Sequence, residues 1–144
     1  MKVRSRGFTL VELLVVIALV AIASGVTTLA LRDPASSRLE QESARLVALL
    51  ESARTQARAS GVGVRWEPLG GDAAEADFRF TGLPASELPE HWLNADVRAT
   101  VVGARAVVLG PEPMIPAQRI VLSLDDRQLT LTTDGLGPFE VSSE

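Results

Sequence analysis

Gly7-Phe8-Thr9-Leu10-Val11-Glu12-Leu13-Leu14-Val15-Val16-Ile17 decides the reading of this chain. Ahead of it lies the leader Met1–Gly7, with three basic side chains (Lys2, Arg4, Arg6) and no acid. Behind it the apolar character continues to Leu31. The run from Phe8 to Leu31 reaches ~36 Å as a helix, enough to cross a hydrocarbon core of ~30 Å. Positive charge just before an apolar helix holds that end in the cytoplasm. The expectation is a single-pass segment, N-terminus inside and everything after Leu31 outside. Glu12 is the only ionisable side chain in the run. A carboxylate there costs ~2–4 kcal/mol on insertion scales, so it needs a reason. A plain anchor or secretory signal gives none, although Ala21-Ile22-Ala23 and Ala23-Ser24-Gly25 have the small residues of a signal cleavage site.

Gly, then Phe, then a lone Glu in the fifth position of an apolar helix resembles the N-terminus of the type IV prepilin and pseudopilin superfamily. The resemblance implies that a prepilin peptidase cuts after Gly7 and methylates the new N-terminus on Phe8. It also implies that Glu12 pairs with the Phe8 amine of a neighbouring subunit. Pairing removes the penalty each charge carries alone in a low-dielectric medium and fixes one helix against the next. A glycine before the cut lets the backbone approach the peptidase without a Cβ. These residues read as those of a filament subunit, not an enzyme.

With 144 residues there is room for one membrane helix and one small domain. The divisions expected are a leader at 1–7, a transmembrane and filament-core helix at 8–31, and a periplasmic domain at 32–144. That domain holds 11 basic and 17 acidic side chains, a net charge of −6. An acidic domain is a poor ligand for nucleic acid or anionic lipid. There are no cysteines, so the domain relies on its core rather than on disulfides.

Ser37-Arg38-Leu39-Glu40 reads as a capping box opening a helix over about 37–59. Leu39, Leu46, Leu50, Ala53 and Ala57 form its apolar stripe, with Glu42, Arg45, Ser52 and Gln56 away from it. Gly61 and Gly63 end it. A weakening of the preceding helix is expected between Ser24 and Pro34. From Val62 the pattern turns to period two. Val62–Trp66, Phe78–Phe80, Val97–Val102 with Ala106–Leu109 around Gly103, Ile120–Leu124 with Gln128–Thr133, and Phe139–Val141 read as short antiparallel strands. Gly70–Glu75 and Gly110–Pro116 read as loops. The fold class expected is α+β: a pilin-like long N-terminal helix, membrane-spanning in its first half, packed on an antiparallel sheet.

Within the superfamily the chain resembles the H-type minor pseudopilins of type II secretion, the group that also holds the FimT-type minor pilins. Leu39–Arg54, the Gly61–Trp66 strand and the pair Ile120–Leu124 and Gln128–Thr133 carry this resemblance. Many type IVa pilins close a C-terminal loop with a disulfide, and these pseudopilins usually do not. The resemblance implies an inner-membrane protein built into the periplasmic pseudopilus near its tip. Its partners would be the prepilin peptidase, other minor and major pseudopilins and the inner-membrane assembly platform, with no cofactor. The alternative is a FimT-like minor pilin serving pilus assembly or DNA uptake. Such a protein would carry an Arg-rich patch, often toward its C-terminus. Here the tail Gly137–Glu144 has two acids and no base. Glu12 also argues against the larger K-type tip subunit, while the I- and J-type subunits stay open as alternative assignments.

Three sharper features read more simply. Asp125 and Asp126 resemble calcium ligands only superficially, because two acids in a tight turn supply few of the 6–8 oxygens needed; turn chemistry explains them, and Asp134 before Gly135. His91, the sole histidine, stands beside Trp92 with no spacing that makes a triad or metal site. Gly110–Pro116 is apolar and proline-stiffened, and of the loops it has most of a partner surface.

Overall fold

Thr9 starts the first helix. Its carbonyl accepts the Leu13 N–H at 3.2 Å and its hydroxyl accepts the Glu12 N–H at 3.3 Å, so it is the N-cap. The computed structural model describes residues 9–30, 34–70, 75–84 and 88–142, with side chains in the first helix described to Ser24. The chain divides into two compact units, Met1–Asp33 and Pro34–Glu144.

The first unit holds α1, Leu10–Ala30. Its apolar side chains from Leu10 to Ile22 are exposed on all faces of the helix in the single chain. Among the described residues no helix is long and apolar enough to cross a membrane. The fully described stretch Leu10–Ser24 reaches only ~22 Å. The expected span over 8–31 ends on Phe8 and Leu31, both outside the described residues. Gly25–Ala30, where a weakening was expected, is helical.

The second unit opens with α2, Pro34–Ser60. Pro34 suits a first helical turn, where its missing N–H has no partner to lose. It is the first residue of this helix, and residues 31–33, where part of the expected weakening falls, lie outside the described residues. The helix therefore starts ahead of Ser37, which lies inside it. The stripe Leu39, Leu46, Leu50, Ala53 and Ala57 is buried as expected and packs on strands β5 and β6 described below. Gly61, at φ +67°, ends the helix by donating its N–H to the Ala57 carbonyl at 2.9 Å.

Seven strands follow among the described residues: β1 Arg65–Pro68, β2 Phe78–Thr81, β3 Arg98–Val101, β4 Val107–Val108, β5 Gln118–Leu124, β6 Arg127–Thr133 and β7 Glu140–Ser142. All pair antiparallel, but in two sheets rather than the one expected: β2-β1-β4 and β3-β5-β6-β7. The expected pairing around Gly103 fails for that reason. β3 joins β5 while β4 crosses to β1. The Gln118 side chain ties the sheets together. Its Oε1 accepts the Val108 N–H at 2.7 Å and its Nε2 donates to the Val108 carbonyl at 2.9 Å, as a neighbouring strand would.

Alternation fixes which side of β5 and β6 is core. Ile120, Leu122, Leu124 and Leu131 are buried, while Arg119 and Gln128 are exposed. A two-residue turn joins the strands, with Asp125 in the left-handed region at φ 51°, which Asp tolerates better than most residues. Trp66, Phe78 and Trp92 close the other end of the core, with ring centroids 4.6–6.5 Å apart.

Candidate functional site

The N-terminal motif is built on the start of α1. With Thr9 as N-cap, Glu12 is the third helical residue, so Thr9-Leu10-Val11-Glu12 supplies half of a capping box. Sequence reasoning placed that pattern at Ser37–Glu40 and overlooked it here, although Ser/Thr-x-x-Glu before an apolar run is a legible signal. In α2 the nearest counterpart is Ser36, whose hydroxyl lies 3.5 Å from Glu40 Oε1. Glu12 is exposed, and a carboxylate in a first turn is favoured by the positive end of the helix dipole. Gly7 and Phe8 lie outside the described residues.

Two buried charges on α2 form the second constellation. Glu42, expected on the exposed side, is 1% exposed. Its Oε1 accepts the Asn94 N–H at 2.8 Å, and its Oε2 lies 3.6 Å from Arg45 Nη1. Arg45 in turn donates to the His91 carbonyl at 2.9 Å. Asp77 anchors the same loop, accepting the Trp92 N–H at 2.8 Å and lying 3.5 Å from His91 Nδ1. His91 thus sits in a loop beside Trp92, as expected, but with an acidic neighbour that spacing did not predict.

Arg54, three turns further along α2, is 2% exposed. Its Nη1 donates to the Gly137 carbonyl at 2.7 Å. Its Nη2 donates to Gly135 at 2.7 Å and reaches Leu136 at 3.4 Å. The guanidinium therefore clasps the loop between β6 and β7. Three further side chains complete the clasp: Thr133 Oγ1 donates to the Gly137 carbonyl, Asp134 Oδ1 accepts the Leu136 and Gly137 N–H groups at 2.9 Å each, and Glu51 Oε1 accepts the Phe139 N–H at 3.3 Å. The Gly137 N–H above all, then that of Leu136, holds the Asp134 carboxyl below its ordinary value. No pattern rule flags Arg54, because its partners are backbone carbonyls more than eighty residues away.

Among the described residues no group of three or more His, Asp or Glu could hold a metal ion. Asp125 and Asp126 sit in the β5–β6 turn. The described geometry is a capped apolar helix with one acid near its start, and a domain in which α2 holds loops by buried charges.

Comparison with known proteins matches this geometry. Residues 2–28 match the prokaryotic N-terminal methylation motif. Over 75% of its length the chain is similar in fold to the type IV minor pilin FimU of Pseudomonas aeruginosa PAO1, with a TM-score of 0.56 at 14% identity and 90% of that chain covered. The fold is thus pilin-like. The sequence is similar to the type II secretion system protein H of Escherichia coli K12, 38% identical over 91 residues. That match covers 62% of this chain and 50% of the relative, so the chain spans about half the relative's length.

Proposed function

We propose that the chain is a minor pseudopilin of a type II secretion system, a subunit near the tip of the periplasmic pseudopilus that drives folded proteins across the outer membrane. The observation that carries this reading is the 38% identity to a type II secretion protein H. In this reading residues 8–31 span the inner membrane with the N-terminus cytoplasmic, and residues 32–144 lie in the periplasm. The prepilin peptidase removes residues 1–7 after Gly7 and methylates Phe8. Glu12 pairs with a neighbouring subunit's Phe8 amine as the subunit enters the filament from the assembly platform. Other minor and major pseudopilins are its neighbours, and neither nucleic acid nor a cofactor is needed.

A second reading is a minor pilin of the FimT or FimU kind. The likeness in fold to FimU favours it, and the acidic tail argues against a DNA-binding role. A clean deletion in the native host separates the two. Exoenzymes trapped in the periplasm, with twitching and DNA uptake intact, support the pseudopilin. Normal secretion with lost twitching or uptake moves the chain to the pilins.

A further inference from the structure

We draw no further inference here: the strongest candidate, the apolar cavity of about 660 Å³ where the C-terminal end of α2 meets the segment after β2, lined by Ala59, Val62, Leu83 and Pro84, carries none because nothing in the structure shows what covers it.

Discussion

Replacing Arg54 with Ala should destabilise the domain formed by residues 34–144 by about 2–4 kcal/mol. Two guanidinium bonds, to Gly135 and Gly137, are 2.7 Å long and buried or nearly so. Hydrogen bonds to a charged group contribute ~1.5–3 kcal/mol each. Two facts reduce the loss. Gly137 keeps the Thr133 hydroxyl and Gly135 keeps the Ile115 N–H, so neither carbonyl is orphaned. The wild type also carries the cost of a desolvated guanidinium whose Nε has no hydrogen-bond partner. For a domain of this size the change corresponds to a fall in Tm of roughly 8–16 °C. Thermal and urea unfolding give the free energy, and amide hydrogen exchange at Leu136, Gly137 and Phe139 reads the loop directly. Arg54→Lys, a point charge unable to span separate carbonyls, should fall between wild type and Ala. An Ala variant within about 0.5 kcal/mol of wild type, with unchanged exchange in the loop, would refute the view that the buried charge orders it.

Three further outcomes are expected. Gly135→Ala should cost on the order of 3–4 kcal/mol, since it combines an unfavourable φ with overlap on the Ile115 carbonyl; a melting temperature like wild type's would show that the loops can part cheaply. The Asp134 carboxyl is lowered in the folded state, so its stabilisation is complete above its ordinary value of 3.8 and is lost as pH falls below that value through the folded one. The stability gap between wild type and Asp134→Asn should therefore stay level from pH 7 to about 5 and narrow below about 4, while a constant gap at low pH contradicts the assignment. Bulky substitution of Gly7 should leave a precursor heavier by the seven leader residues, visible on a gel, and normal processing would remove the peptidase from the account.

Legibility followed the range of the interaction. The α2 stripe, the β5–β6 hairpin and the Gly61 stop were readable because period 3.6, period 2 and a left-handed glycine are local. The division into two sheets was not, because Val97–Val102 and Ala106–Leu109 look like two arms of a hairpin. Only the partners of each, β5 and β1, separate them. Glu42 was misjudged, and Arg54 passed over, for a related reason. Charged residues beside an apolar stripe read as solvated, yet both turn inward to backbone groups of distant loops. Such buried charges add little net stability over an apolar filler. Each holds one loop in place, Arg54 through the Gly135 and Gly137 carbonyls and Glu42 through the Asn94 N–H.

Glu12 has two possible uses that its position alone does not separate. As the third residue after the Thr9 N-cap it stands where a capping box places its acid, a position that Gln fills as well as Glu. As the partner of a neighbour's Phe8 amine it must carry a charge. Glu12→Gln therefore keeps the first use and removes the second, while Glu12→Ala removes both. Either variant should still insert and be cleaved, since neither adds charge to the apolar run. If pairing is the reason for the acid, both variants should fail to enter the filament, with mature protein accumulating in the inner membrane and secretion lost. If capping is the reason, Glu12→Gln should assemble and secrete like wild type while Glu12→Ala loses helix stability of about 1 kcal/mol. Thr9→Val sharpens the comparison by removing the hydroxyl cap while leaving the carboxylate charged, and the pairing account requires it to assemble better than Glu12→Gln.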